Sequence, residues 1–305
     1  MLLQRFDRNQ VKKFTRILRY IPPLLLKYLA KLRRRYGIYD LLTLWLYSKV
    51  WKLSNNYNDL AAYLKFRRDL GYISRPRKWL RFSEHGIISK KWQLFIEESR
   101  VFWNDEFLND SDGILYKLIK EQEKWCQDFE NYIKKIDESK ICIVGNGPQI
   151  VQGQFGQFID THDLIIRFNS LDIKLRPERA FGSRCHVWVR SPVLNYRPKL
   201  SIPWVVMTGP FMFWRLNYDG LYESRKAENQ VTLLVPLNIW QRCIWELQAP
   251  PSAGFLIITW LRDILGNSQQ LTTLGIGEGL LPKVSLLNTE SGIRHNWIKE
   301  KNFLK

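Results

Sequence analysis

The stretch "KICIVGNGPQIVQGQFGQFIDTHDLIIRFN", Lys140 to Asn169, contains the local pattern that decides the fold. An apolar, β-branched run, "ICIV", leads directly into a turn with two glycines, Gly145 and Gly147. Such a strand and turn are typical of open α/β sheets, which bind ligands at the carboxyl ends of their strands. Ile150 stands where a dinucleotide-binding turn has its third glycine, and the second strand ends at asparagine rather than at an acidic residue. The pattern therefore favours one nucleotide or a nucleotide sugar over a dinucleotide.

The remainder of the chain supplies the other strands of such a sheet. After "ICIVG" come "LIIRFN", "HVWVR", "WVVMTG", "VTLLVP" and "LTTLGIG", most of them continuous apolar runs, as in strands buried on both faces of a parallel sheet. Two stretches between the last two runs, "NIWQRCIWEL" and "PPSAGFLIITWLRDILG", have helical spacing. We predict an α/β domain over 140–305 with a Rossmann-like, mostly parallel sheet flanked by helices. A basic, mainly helical region, 1–139, precedes it.

The positive charge of the chain is concentrated in its N-terminal third. The net charge is +18, and residues 1–100 hold 23 Lys and Arg against 7 Asp and Glu, a difference of +16. Apolar residues recur at helical spacing there and the pattern is broken at Pro22 and Pro23. One interpretation is a helix on an anionic membrane surface, with the run Arg33 to Arg35 facing lipid headgroups. The other is the solvated face of a helical domain. No nucleic-acid-reading module accompanies the charge, so we expect no nucleic-acid partner.

Other patterns concern the compartment of the protein. The first residues carry charges where a secretory signal has its apolar core, and no apolar run is long enough for a membrane span. Four cysteines are scattered without a C-x-x-C pair, which favours a reducing compartment. We therefore expect a cytoplasmic protein that could associate with the inner face of the membrane.

Three motifs in the second half occur in a recognisable order. The first combines "CIVGNG", "IDTHDLIIRFN" and "FGSRCHVWVR", the second is "PPSAGFLII", and the third is "HNWIKEKN". They resemble the long, short and very short sialyl motifs of the sialyltransferases, glycosyltransferase family 29, and the chain is similar to a divergent, bacterial-type member. The resemblance covers about half the chain. It does not extend to residues 1–139.

The resemblance implies a GT-A-like variant of the Rossmann-like fold and an inverting, metal-independent transfer of sialic acid from CMP-sialic acid to a glycan hydroxyl. No cofactor or metal is implied. A lipid-linked acceptor at the membrane would give the basic N-terminal region a use. By position in the motifs, His295 is the catalytic base. The donor-binding residues are Asn146, Gly147, Asn169, Ser252, Ala253 and Gly254. Supporting or structural roles fall to Gly145, Arg167, Gly182, Ser183, Arg184 and Glu300.

The chemistry of these residues agrees with that assignment. Ser252 before an apolar helix is a natural N-cap, and the N–H groups that emerge beside it attract a phosphate or carboxylate. A histidine with a pKa near neutrality suits a base that takes the proton of an acceptor hydroxyl. Glu300 lies five residues after His295, about 140° around a helix, which is a poor arrangement for direct proton transfer between them. We therefore predict a structural or positioning role for Glu300.

Several alternatives remain open at the level of sequence. Ala253 stands where the family usually has Ser or Thr, and the aromatic third motif has no clear counterpart. The donor could be another CMP-linked ulosonic acid such as Kdo. A methyltransferase, a dehydrogenase or a non-catalytic nucleotide-binding protein of the membrane surface would explain only part of the motif set. "DSD", Asp110 to Asp112, imitates a metal-binding D-x-D, but its polar "NDSDG" setting is typical of a loop.

Overall fold

The computed structural model describes 11, 14–16, 18, 20–70, 114–147, 149–169, 177–190, 202–208, 231–266, 270–276 and 295–304. The chain divides into two compact units, each built from separate segments. The first comprises 1–115, 241–251 and 293–296, and the second comprises 116–240, 252–292 and 297–305. This division differs from the predicted boundary after residue 139, because the helix that precedes the sheet groups with the sheet and two later segments group with the N-terminal helices.

Three helices form the described N-terminal part of the first unit: α1 (Pro23–Arg35), α2 (Leu41–Ser54) and α3 (Tyr57–Asp69). Helix α1 begins at Pro23, which confirms the predicted break, since proline suits the first helical position and not the interior. Helix α2 begins after Asp40, whose carboxylate accepts a hydrogen bond from the Thr43 N–H at 2.9 Å. It ends at Asn55, which adopts a left-handed conformation with φ 49°.

A buried ion pair holds α1 against the start of α2. Arg33 Nη2 lies 2.6 Å from Asp40 Oδ2, and Arg33 Nε donates to Thr43 Oγ1 at 3.0 Å. The arginine side chain is 0% exposed. The interpretation that the whole run Arg33 to Arg35 faces lipid is therefore wrong for Arg33. Arg34 is mostly buried and lies 3.9 Å from Asp69, which leaves Arg35 as the exposed member of the run.

The second unit contains the sheet. Its strands are β1 (Ile141–Val144), β2 (Leu164–Phe168), β3 (Val187–Arg190), β4 (Trp204–Met207), β5 (Val231–Leu234) and β6 (Thr272–Leu274). Their order is β5-β4-β3-β2-β1-β6, and every neighbouring pair is parallel. Strands β1 and β2 are buried along their whole length, as expected where both faces of a sheet are covered. The predicted α/β fold and all six predicted strands are confirmed.

Helices connect and cover these strands. They are α4 (Ile114–Ile133), α5 (Gln149–Gln152), α6 (Gly156–Asp160), α7 (Glu178–Phe181), α8 (Leu237–Leu247), α9 (Ala253–Ile264) and α10 (Trp297–Leu304), with a 3-10 turn at Glu138–Lys140. The boundary between the two units falls within α8, after Trp240. Helix α9 is largely apolar and has seven buried residues. None of the helices in the described part of the chain has the length and apolarity needed to cross a membrane.

Side chains of α4 contact the outer edge of the described sheet, most closely through the amide of Gln122. Gln122 Nε2 donates to Thr232 O at 2.9 Å, and Gln122 Oε1 accepts from the Leu234 N–H at 2.9 Å. Both partners belong to β5. The amide therefore makes the two hydrogen bonds that a neighbouring strand would make at this point. These contacts, together with the ring of Phe129 packed 5.3 Å from that of Trp204, explain why α4 groups with the sheet.

Candidate functional site

The strand order defines a switch point in the second unit. From β1 to β5 each strand is added on one side of the last, whereas β6 lies on the other side of β1. In open α/β sheets, ligands bind at the carboxyl ends of the strands where the order reverses in this way. The segments that leave the sheet at this point are Gly145 to Gly147 after β1 and Gly275 with Ile276 after β6.

The backbones of these two segments are in direct contact. The Gly145 N–H donates to Leu274 O at 2.7 Å, and the Gly147 N–H donates to Gly275 O at 3.1 Å. A Cβ atom at position 145 would overlap the Gly275 carbonyl oxygen, so glycine is required there. Both N–H groups are thus satisfied by the chain itself, although a glycine turn after a strand often directs such groups at an anion. The donor-binding role of Gly147 stays a prediction.

Asn146 lies between these glycines with half of its amide satisfied. Its Nδ2 donates to Phe168 O at 3.4 Å. Its Oδ1 is buried and has no hydrogen-bond partner among the residues that the structure describes. A buried acceptor without a partner costs about 1–3 kcal/mol, which a ligand that donates a hydrogen bond would recover. Asn146 is therefore the predicted site residue whose geometry points most directly to a bound molecule.

Asn169 follows β2 next to the Asn146 amide. It adopts a left-handed conformation with φ 55°, which asparagine tolerates better than most residues. Its N–H donates to Val189 O at 2.8 Å, and its carbonyl accepts from Trp188 Nε1 at 2.6 Å. Since the Asn146 amide contacts the carbonyl of the residue before Asn169, the structure brings the two predicted asparagines together at the ends of adjacent strands.

The N-terminus of α9 reaches the same place. The predicted N-cap at Ser252 is confirmed, because its Oγ accepts from the Phe255 N–H at 3.2 Å. Helix geometry leaves the N–H groups of Ala253 and Gly254 without partners inside the helix. A Cβ at Gly254 would lie 3.3 Å from Cγ2 of Ile276, and one at Gly145 would lie 2.6 Å from Cγ1 of the same side chain. Ile276 thus lies between "VGNG" and "PSAG", and the two motifs meet.

Glu300 positions Ser252 from α10. Its Oε1 accepts from the Ser252 N–H at 2.8 Å, and its Oε2 accepts from the Ser252 hydroxyl at 2.6 Å. The glutamate is 3% exposed. Burial raises the pKa of Glu300 to about 7, although the hydrogen bonds from Ser252 favour the ionised form and oppose the shift. Both hydrogens that Ser252 can donate are used by Glu300, so a ligand at this end of α9 would meet the neighbouring N–H groups instead.

His295 belongs to the first unit, and its ring is held by a hydrogen bond to a backbone carbonyl of the same unit. Its Nδ1 lies 2.9 Å from Pro250 O, and the next residue, Asn296, donates from Nδ2 to Leu247 O at 3.0 Å. Because a carbonyl only accepts, Nδ1 carries the proton and Nε2 is the basic nitrogen of the neutral ring. This tautomer suits the predicted role of His295 as a base. The other predicted site residues belong to the second unit.

The supporting residues of "GSR" form a loop around an aspartate. Asp160 accepts from the Ser183 N–H at 2.8 Å, from the Ser183 hydroxyl at 3.0 Å and from the Arg184 N–H at 3.1 Å. Partial burial opposes ionisation of Asp160, but these hydrogen bonds outweigh it and lower the pKa. Gly182 has φ +72°, and a Cβ there would lie 2.5 Å from Asp160 Oδ1. Asp160 was not among the predicted site residues, although "IDTHD" contains it.

Arg167 holds the same loop from inside the fold. Its side chain is buried, with Nε donating to Arg184 O at 2.7 Å and Nη2 donating to Phe181 O at 2.5 Å. Burial lowers the pKa of this guanidinium. Arg167, Gly182, Ser183 and Arg184 thus share one set of contacts that fixes the loop before β3.

Within the described ranges, no group of three or more His, Cys, Asp or Glu side chains is arranged to hold a metal ion. The "DSD" stretch, Asp110 to Asp112, lies outside those ranges.

Gly275 and Ile276 were not predicted as site residues, because only the placement of β6 beside β1 brings them to the site.

Comparisons with known proteins give a limited result. No protein-family model and no curated protein matches the sequence. Among solved structures, the chain is similar to a mammalian sialyltransferase crystallised in complex with Gal-beta-1-3GalNAc-ortho-nitrophenol. The identity is 12%, the TM-score is 0.42, and the match covers 75% of this chain and 91% of that one. A similarity at this level does not assign an activity.

Proposed function

We propose that this chain is an inverting, metal-independent glycosyltransferase that moves sialic acid from CMP-sialic acid to a hydroxyl of a glycan acceptor. The observation that carries the proposal is the meeting of "VGNG" and "PSAG" around Ile276 at the switch point of the sheet. Two motifs that lie about one hundred residues apart in the sequence occupy one place in the fold. Asn146 presents there a buried acceptor that no residue in the described part of the chain satisfies.

The donor would be held without a metal. The N–H groups of Ala253 and Gly254, at the positive end of the α9 dipole, suit a phosphate or the carboxylate of the sugar. Asn146 Oδ1 would accept a hydrogen bond from the ribose or the base. Glu300 contributes indirectly, since its two hydrogen bonds to Ser252 fix the turn from which α9 starts. Hydrogen bonds to charged groups contribute about 1.5–3 kcal/mol each, so several such contacts could hold one nucleotide.

The transfer step needs one base and no acid. The acceptor hydroxyl oxygen attacks the anomeric carbon, the bond from that carbon to the phosphate oxygen of CMP breaks, and CMP leaves as an anion. Nε2 of His295 takes the proton of the hydroxyl. The hydrogen bond from Nδ1–H to Pro250 O stabilises the imidazolium that results. Attack opposite the leaving group inverts the configuration.

The proposal also covers the acceptor and its location in the cell. A lipid-linked or cell-surface oligosaccharide at the cytoplasmic face of the membrane is the acceptor class we propose. The proposed donor site would also admit another CMP-linked ulosonic acid such as Kdo, because the contacts proposed above involve the nucleotide and a carboxylate and not the rest of the sugar.

The test is a comparison of donors on the full chain. The protein is incubated with CMP-sialic acid or CMP-Kdo, with a chelator present, and CMP release is followed with and without a glycan array. We expect acceptor-dependent release from CMP-sialic acid. CMP binding should weaken about tenfold in Asn146→Ala and be unchanged in Asn302→Ala, an exposed change on α10. Preference for S-adenosylmethionine or NAD over CMP would refute the proposal.

A further inference from the structure

Helix α1 presents large apolar side chains to solvent. Leu24 is 78% exposed, Leu25 is 57% exposed and Tyr28 is 65% exposed, whereas Leu26 and Ala30 on the other side are buried. Single exposed leucines are ordinary, but three large apolar side chains within two turns form a patch that water solvates poorly. The burial of the opposite side shows that α1 docks in its unit through that side.

Two basic residues continue this patch along the helix. Lys31 and Arg35 are exposed, and they follow Leu24 and Tyr28 at the spacing of one helical face. No ion pair joins either of them to the part of the chain that the structure describes. We call these side chains, with Leu25 at their flank, the α1 face.

The remaining basic residues of α1 lie close to acidic residues of the chain. Lys27 lies 2.6 Å from Asp59, the buried Arg33 lies 2.6 Å from Asp40, and the partly exposed Arg34 lies 3.9 Å from Asp69. The helix itself contains no acidic residue. Within the described part of the chain, the ion pairs of α1 therefore use the cations that face the unit and not those of the α1 face.

We propose that the α1 face docks on the surface of an anionic lipid bilayer. Leu24, Leu25 and Tyr28 would enter the boundary between headgroups and acyl chains, where tyrosine is enriched, and Lys31 and Arg35 would contact anionic headgroups. The apolar end of the face lies toward the start of α1 and the basic end toward its finish, so the helix would enter obliquely. This inference goes beyond the proposed transferase activity and does not depend on it.

The composition of the face favours a bilayer over other occupants. A second copy in a two-fold dimer would place Lys31 and Arg35 either against their own equivalents, which like charges oppose, or against the leucines of the other copy, which would bury the cations without partners. A nucleic acid would neutralise the two cations and leave the leucines in water. A bilayer with anionic lipid satisfies both halves of the face at once, since it removes apolar area from water and supplies negative potential.

The experiment is sedimentation of the full chain with vesicles, without nucleotide. One set contains phosphatidylcholine alone and the other contains phosphatidylcholine with about one third phosphatidylserine. We expect clear association with the second set, a much weaker association with the first, and a loss as salt is raised.

Matched variants separate the two halves of the face. The pair Leu24→Ser and Leu25→Ser should lower partitioning at least about tenfold. The pair Lys31→Glu and Arg35→Glu should lower it about tenfold or more on the anionic vesicles alone. Controls on α2 in the same unit are Leu53→Ser, at a leucine that is 46% exposed, and Lys52→Glu at an exposed lysine.

Circular dichroism equal to that of the wild type establishes that a variant is folded before it is compared. Binding that survives the leucine changes, or that the controls reduce equally, would refute the proposal. A wild-type dimer in size-exclusion chromatography that Leu24→Ser and Leu25→Ser dissociates would assign the α1 face to self-association and would also overturn it.

Discussion

The buried carboxylate of Glu300 accepts both hydrogens that Ser252 can donate, from the backbone N–H at 2.8 Å and from the hydroxyl at 2.6 Å. Ser252 in turn caps α9. The very short motif therefore reaches the short motif through one glutamate, and the start of α9 is fixed by a residue forty-eight positions away in the sequence.

Glu300→Gln should destabilise the protein and weaken CMP binding. The amide oxygen of glutamine can accept one of the two hydrogen bonds, but its NH₂ group would face a donor, at a cost of about 1–3 kcal/mol. We expect a lower urea midpoint and a CMP affinity lower by about tenfold. Asn302→Ala, an exposed change on the same helix, should alter neither. Unchanged urea unfolding of Glu300→Gln would contradict the contact.

The stability of the wild type should carry a pH dependence that this variant lacks. The pKa of Glu300 in the fold is about 7 and its ordinary value is 4.5, so the native state binds the proton more tightly. The stabilisation is present below about pH 4.5 and is lost as the pH rises through about 7, with a total of about 3 kcal/mol. The measurement is the difference in unfolding free energy between wild type and Glu300→Gln across this range. A constant difference would refute the prediction.

Gly145→Ala should destabilise the second unit more than Gly254→Ala does. The new methyl group at position 145 would meet the Gly275 carbonyl, which is fixed by its hydrogen bond to Gly147. At position 254 it would meet the tip of Ile276 at 3.3 Å, and a side chain can move aside. We expect a loss of about 1–3 kcal/mol for the first change and a smaller one for the second, measured by urea unfolding. Equal losses would show that the two loops are not packed as described.

His295→Ala should retain CMP binding and lose transfer. Removal of a general base costs about 10²- to 10⁴-fold in rate, whereas the nucleotide contacts proposed above lie on other residues. The measurements are calorimetric CMP binding and acceptor-dependent CMP release. Lys301→Ala, at an exposed position on α10, is the control for both. Turnover equal to that of the wild type would remove His295 from the mechanism.

Arg33→Met should strongly destabilise the N-terminal helices. It leaves the carboxylate of Asp40 buried without its cation, and the loss of one partner of a buried pair costs about 3–5 kcal/mol. Arg35→Met, two positions later on the exposed side, should change stability by less than about 0.5 kcal/mol. Thermal unfolding of the two variants compares them directly. Similar melting temperatures would contradict the buried ion pair.

The sequence was sufficient for the features that depend on local chemistry. Buried parallel strands need continuous β-branched apolar runs, so all six strands were predictable, and a serine before an apolar helix predicted the cap at Ser252. The features that depend on partners distant in the sequence could not be predicted. Gly145 and Gly147 donate to the β6 segment because β6 lies beside β1, and no local pattern encodes that neighbour. Arg33 looked like a surface cation because its partner, Asp40, lies beyond the end of the helix.

The amide of Gln122 occupies backbone groups at the edge of the described sheet. The outer edge of a sheet is a template on which an extended segment of another chain can add, and this is a route to fibrils. In the described sheet that edge is β5, and Gln122 occupies both the Thr232 carbonyl and the Leu234 N–H. Together with the Cys126 thiol, which donates to Leu234 O at 3.5 Å, this amide occupies backbone groups of β5 on which an added strand would pair, and neither side chain belongs to the candidate site.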